Sequence, residues 1–79
     1  MIDPRFMSAV GWAAHTTILI SQFGTIPRLA HENGWKQWAN VVSGLPALAA
    51  VGAPRPDRFR NWRAWAAAFN LAVERLGVS

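Results

Sequence analysis

Three prolines in the chain are followed directly by arginine, and the spacing of these pairs limits the folds that the chain can adopt. A tryptophan lies eight residues after the proline of each pair: Trp12 after Pro4-Arg5, Trp35 after Pro27-Arg28 and Trp62 after Pro54-Arg55. After the tryptophan, the last two copies agree further, as Trp-Lys-Gln-Trp-Ala and Trp-Arg-Ala-Trp-Ala. The spacing predicts three approximate units in one small chain, 4–26, 27–53 and 54–79. A chance match is the alternative, above all for the first unit, because these residue types are frequent in the chain.

Each unit is typical of an extended arm followed by a helix. Proline fixes φ, lacks an amide donor and favours an extended residue before it. Apolar residues then recur at helical spacing after each tryptophan. The sequence therefore predicts three short helices, at about 6–22, 34–51 and 60–76, joined by extended Pro-Arg linkers. Asn61 is suited to the start of the third helix, Pro46 should kink or shorten the second, and Gly77 should stop the third.

The small size of the chain sets a limit on its core. With 79 residues and no cysteine, it has little surface to bury and no disulfide to support the fold. Its large apolar side chains come mainly from five tryptophans and four phenylalanines. We expect an all-α chain without a self-sufficient globular core, whose aromatic side chains pack on something larger.

Residues with catalytic potential are sparse. The acidic residues number four and the histidines two, and His31-Glu32 is the one adjacent pair of a histidine with an acid. Adjacency in sequence does not make a metal site or an acid/base pair, so we interpret His31 and Glu32 as solvated linker residues. No glycine-rich phosphate loop or nucleophile motif is found in the sequence. We predict a protein that is not an enzyme and has no cofactor or metal.

Residues 54–66 hold the densest cluster of cations and aromatics, with four of the eight Lys and Arg residues. Such a cluster suits nucleic acid, a membrane interface or a protein interface, and a plain core with solvated arginines is the alternative. Because Trp62 and Trp65 share a helical stripe with Phe69, we favour a core or a protein interface over a membrane, and place nucleic acid last. The predicted partner-binding residues are Trp35, Trp38, Arg55, Phe59, Arg60, Trp62, Arg63, Trp65 and Phe69.

A membrane protein is the alternative prediction. Residues 6–27 and 37–53 carry no formal charge, and the first run is long enough to span a bilayer. Both runs contain several polar residues, which weakens the signal. This alternative is a two-helix hairpin with residues 60–76 on the bilayer surface, as in a holin-like protein or a minor subunit of a membrane complex in the bacterial inner membrane.

A longer pattern covers the last two-thirds of the chain. It runs through Pro54, Pro56, Phe59, Trp62, Trp65 and Ala66, with Trp35, Trp38 and Ala39 upstream. This order resembles that of small virion proteins of tailed bacteriophages. The resemblance implies a non-enzymatic tail or neck component of the phage particle that packs on larger virion subunits. Asn61 stands where such proteins carry an acidic residue, which puts a charge-specific contact there in doubt.

Together these features predict a structural or adaptor protein of a larger assembly. Its expected partners are larger protein subunits, copies of itself, or both, whereas nucleic acid is not expected. In this prediction the tryptophan stripes bury against the partner, and the arginines beside the prolines pair with acidic groups on it.

Overall fold

Every regular element between residues 3 and 77, the part of the chain that the structure describes, is helical. This computed structural model therefore confirms the all-α class. It contains four α-helices where the sequence predicts three, together with four short 3-10 helices. The α-helices are α1 (Ala9–Ile20), α2 (Trp35–Ser43), α3 (Pro46–Ala50) and α4 (Trp62–Arg75), and the 3-10 helices are Pro4–Phe6, Ser21–Phe23, Glu32–Gly34 and Pro56–Arg58.

Helix α1 begins later than predicted because a serine caps it. The Ser8 hydroxyl accepts a hydrogen bond from the Gly11 amide over 3.1 Å, which satisfies one of the free amides of the first turn. Phe6 belongs instead to the preceding 3-10 helix. At the other end, Ile20 is the last α-helical residue, and the chain tightens into the 3-10 helix Ser21–Phe23.

The predicted helix 34–51 is wrong as a single element, since the structure divides it at Pro46. Leu45 is extended, with φ −60° and ψ 137°, as expected for a residue before proline. Pro46 then occupies the first turn of α3, where a missing amide costs nothing. The expectation that Pro46 interrupts the helix is thus confirmed.

Helix α4 has the capping residues that the sequence predicts. The Asn61 side chain accepts a hydrogen bond from the Ala64 amide over 2.9 Å. Gly77, with φ 77°, follows the last turn in a left-handed conformation that suits glycine. The observed bounds, Trp62–Arg75, lie within two residues of the predicted 60–76.

The linker before α4 is held against the body of the protein. Arg55 and Phe59 have extended backbones, but Pro56–Arg58 between them turns into a 3-10 helix, so this linker is not extended throughout. Pro56 is fully buried. The 3-10 helix contacts α2 and α4, and this linker therefore has a fixed path.

Trp12 lies at the centre of the core. Its side chain is 1% exposed, and its ring centroid lies 5.6 Å from that of Trp65, 5.9 Å from Trp38, 6.1 Å from Trp62 and 6.2 Å from Phe69. Most of these pairs meet edge to face or at a steep tilt, the arrangement that the charge distribution of aromatic rings favours. Helix α1 thus supplies the apolar surface on which the tryptophans of α2 and α4 pack.

Two tryptophans also hold the linkers in place by hydrogen bonds. The Trp38 indole N–H donates to the Pro27 carbonyl oxygen over 2.8 Å, and the Trp65 indole N–H donates to that of Pro54 over 2.9 Å. In both cases the acceptor lies eleven residues before the donor. We call these two bonds the indole clamps. In the first unit His15 stands at the corresponding position after Pro4.

The chain is about as compact as an independent domain of this length. Its radius of gyration is 10.9 Å, close to the value of about 11.6 Å that globular chains of this length follow. The core is built from the chain's own side chains. The expectation of a chain without a self-sufficient core is therefore not confirmed.

The clamp at Trp65 can be tested by comparison with Trp12. Both side chains are 1% exposed, so replacement by phenylalanine removes a similar buried volume from each. The Trp12 indole nitrogen finds no acceptor among the described residues, whereas that of Trp65 is bonded. We expect Trp65→Phe to lower the free energy of unfolding by about 1 kcal/mol more than Trp12→Phe, measured by urea denaturation. Equal losses would show that the clamp adds nothing.

Candidate partner-binding surface

The nine predicted partner-binding residues separate into two groups. Four are buried in the chain's own core, with 0 to 4% of the side chain exposed: Trp38, Trp62, Trp65 and Phe69. Three are exposed, Arg55, Arg60 and Arg63, and two are partly buried, Trp35 and Phe59. The structure therefore assigns the first group to the core alternative, since these side chains are not accessible to a partner in this conformation. The exposed and partly buried residues remain as the candidate surface.

The four buried residues share one physical reason for their position. A stripe of large aromatics needs an apolar counter-surface, and the sequence pattern does not say whether that surface comes from a partner or from the chain itself. Here α1 provides it, through Trp12 and the small residues Ala9 and Ala13 beside it, all buried. In the sequence, nothing distinguishes Trp12 beyond its place as the tryptophan of the first unit.

We define the basic arm as residues 54–61, which carry Arg55, Arg58 and Arg60. All three side chains are exposed, and none forms a hydrogen bond or an ion pair within the described residues. The backbone beneath them is fixed by the clamp at Pro54 and by the burial of Pro56. The basic arm thus presents three unpaired guanidinium groups from an ordered support.

Arg63 is engaged within the chain. Its guanidinium carbon lies 4.6 Å from the centre of the Trp62 ring, and its Nη2 donates to the Met7 carbonyl oxygen over 3.1 Å. The cation covers the edge of the core and joins α4 to the segment before α1. Arg63 therefore has a structural role, whatever else it contacts.

The residues around the start of α2 also have contacts in the chain. Glu32 accepts a hydrogen bond from the Trp62 indole N–H over 3.2 Å, so it is more than the solvated linker residue that the sequence predicts. The Trp35 ring centre lies 6.3 Å from that of Trp65, and the Lys36 ammonium lies 5.8 Å from the Trp35 ring centre. Trp35 is the one tryptophan that keeps part of its side chain accessible to solvent.

Most of the cationic side chains in the described part of the chain have no carboxylate partner. In the described part, residues 3–77, the one ion pair joins Arg5 to Asp3 over 2.6 Å. The hydrogen bonds that Arg5 donates from its side chain and its amide lower the pKa of the Asp3 carboxyl. Most of the other cations face solvent without a carboxylate, which leaves a surface that attracts negative charge.

Two open clefts lie beside the segment before α2. The larger, about 610 Å³, lies between this segment and α2, and the smaller, about 360 Å³, lies between it and α1. Pro27, Arg28 and Leu29 line both and form the ridge between them. The sequence does not predict these clefts, although Arg28 belongs to the second Pro-Arg pair, because a cleft depends on how helices distant in sequence pack.

Two further features are absent from residues 3–77. No group of three or more His, Asp or Glu side chains lies close enough together there to hold a metal ion. Among the helices of that range, none has both the length and the apolar character needed to cross a bilayer.

The ion pair at the start of the chain gives a testable prediction. With Arg5→Gln, the pKa of Asp3 should rise toward its ordinary value, because the hydrogen bonds that favour the charged carboxylate are weakened. Since folding lowers this pKa, the stability it contributes is present above the ordinary pKa of aspartate and is lost as the pH falls through the folded value. NMR titration of the Asp3 carboxyl carbon measures the shift. Arg60→Gln is the control and should leave the Asp3 titration unchanged, whereas equal behaviour of the two variants would contradict the assignment.

The comparisons with known proteins give no relative. No protein-family model, no curated protein and no solved structure matches the chain.

Proposed function

We propose that the chain is a non-enzymatic structural or adaptor component of a larger assembly. In this role it binds a larger protein subunit through the basic arm. The observation that carries the proposal is the set of three guanidinium groups at Arg55, Arg58 and Arg60, which are exposed and unpaired within the described residues. Trp35 and Phe59, both partly buried, provide additional apolar surface.

A fixed arm suits this role because of the entropy of binding. A flexible basic tail loses conformational freedom when it docks, whereas an arm held by Pro56 and by the clamp at Pro54 has lost most of it already. Arginine pairs with carboxylates in a bidentate geometry that also fixes orientation. We therefore infer that the partner presents acidic side chains to the basic arm.

The kind of assembly is inferred from the sequence pattern. The motif with Trp35, Trp38, Trp62 and Trp65 resembles that of small virion proteins of tailed bacteriophages. We accordingly propose a tail or neck position in a phage particle, against larger subunits or further copies of the chain. The two indole clamps support the reading of this motif as one repeated structural unit, since Trp38 and Trp65 make the same bond at the same spacing.

Cell fractionation tests the proposed location. A virion component should be recovered in detergent-free buffer or within purified phage particles from cells that produce the chain. Recovery only in the membrane fraction, with release only by detergent, would contradict the proposal and favour the membrane alternative. Binding to DNA that weakens steeply with added salt, with no incorporation into particles, would instead favour a nucleic-acid role.

The basic arm is tested by paired charge removal. We expect Arg58→Gln with Arg60→Gln to reduce incorporation into particles by about tenfold or more, because the carboxylates of the partner lose their counter-charges. The matched control is Arg5→Gln with Arg75→Gln, which changes the net charge equally but leaves the arm intact. Immunoblots of purified particles against total chain measure the effect. Equal loss in both variants would show that net charge, and not the arm, determines incorporation.

A further inference from the structure

Helix α1 keeps an apolar outer face that no other part of the described chain covers. Apart from His15, Thr16 and Thr17, the residues of α1 are apolar or glycine. Ile18 is 76% exposed, and Ala14, one turn earlier on the same face, is exposed as well. This face borders the smaller cleft, which Ala14 lines.

The larger cleft carries a second exposed apolar side chain. Val41 of α2 is 44% exposed and lines this cleft, together with Trp38 at its base. The two clefts share the ridge of Pro27, Arg28 and Leu29. One segment that crosses the ridge can therefore place an apolar side chain in each cleft.

The charge on the ridge selects the partner. Arg28 lines both clefts, is exposed, and forms no hydrogen bond or ion pair within the described residues. None of the residues that line either cleft is acidic. A ligand that fits both features has two apolar side chains with a carboxylate between them.

We propose that the two clefts form one groove that binds an amphipathic, acidic helix of a partner protein. Its apolar side chains enter the clefts and its carboxylate pairs with Arg28. The chain measures 26 × 23 × 21 Å, so a helix lying along it makes contact over at most about 17 residues at 1.5 Å per residue. The inference rests on the proposed docking function and names the chemistry of the partner.

Two other occupants fit the groove less well. Two copies of the chain each carry a net charge of +4, so they repel each other. A lipid bilayer meets a protein across a broad surface, whereas Trp38 is 4% exposed at the base of a cleft. An acidic helix fits both the shape of the groove and the positive charge of Arg28.

A synthetic helical peptide of about 14 residues serves as the probe. It carries leucines along one face and glutamates beside them, and a second peptide has lysine in place of each glutamate. We expect the glutamate peptide to bind the full chain and the lysine peptide to bind at least about tenfold more weakly. Isothermal titration measures both affinities, and backbone NMR shifts should change at Ala14, Arg28 and Val41.

Matched variants locate the site. Val41→Glu should weaken binding of the glutamate peptide about tenfold, whereas Leu71→Glu, which adds the same charge at an exposed apolar residue outside the clefts, should have much less effect. Arg28→Glu should reverse the preference in favour of the lysine peptide. Arg75→Gln, which removes a cation outside both clefts, should leave binding of the glutamate peptide unchanged.

Different results would overturn the groove proposal and the proposed function. The inference is overturned if neither peptide binds, if both bind equally, or if Val41→Glu and Leu71→Glu act alike. It is also overturned if Val41→Glu abolishes dimers of the chain alone, or if the groove residues respond to anionic vesicles and not to the peptide. Failure of peptide binding, with incorporation still dependent on the basic arm, overturns this inference alone. Normal incorporation of the arm variant overturns the proposed function and leaves the peptide result to stand.

Discussion

The packing of Trp12 against the aromatics of α2 and α4 is the contact on which the rest of the structure depends. Each of these helices turns an aromatic stripe inward, and Trp12 gives both stripes a common counter-surface. The indole clamps then extend this order to the linkers, since Trp38 and Trp65 bond the proline carbonyls at the start of their own units. A chain with no cysteine thereby holds its linkers in place by side chains that already belong to the core.

The use of the aromatic side chains in the core explains where the candidate binding residues lie. Because the tryptophans and Phe69 pack in the core, the features left for binding are exposed cations and exposed apolar residues such as Phe6, Ile18 and Val41. The basic arm and the ridge at Arg28 both follow a clamped proline, so their cations are carried by ordered backbone. In the account proposed here, the tryptophans stabilise the chain and the Pro-Arg segments contact the partner.

The sequence predicts those features that depend on local chemistry. Asn61, Gly77 and Pro46 begin, end or divide helices as their conformational preferences dictate. Prediction from the sequence fails where the structure depends on tertiary packing. The stripe of Trp62 and Trp65 looks the same whether a partner or α1 covers it, and the clefts beside Arg28 arise only once three segments pack together. The start of α1 also differs from the prediction, since the cap at Ser8 carries a weaker signal than the apolar run around it.

The central claim is that the tryptophans form the chain's own core and do not await a partner. Fluorescence of the isolated Trp35→Phe variant tests it most directly, because this change removes the one partly accessible indole. The remaining four indoles are 1 to 4% exposed, so the account predicts blue-shifted emission that acrylamide quenches weakly. Red-shifted emission that acrylamide quenches readily, in the chain without any partner, would contradict it.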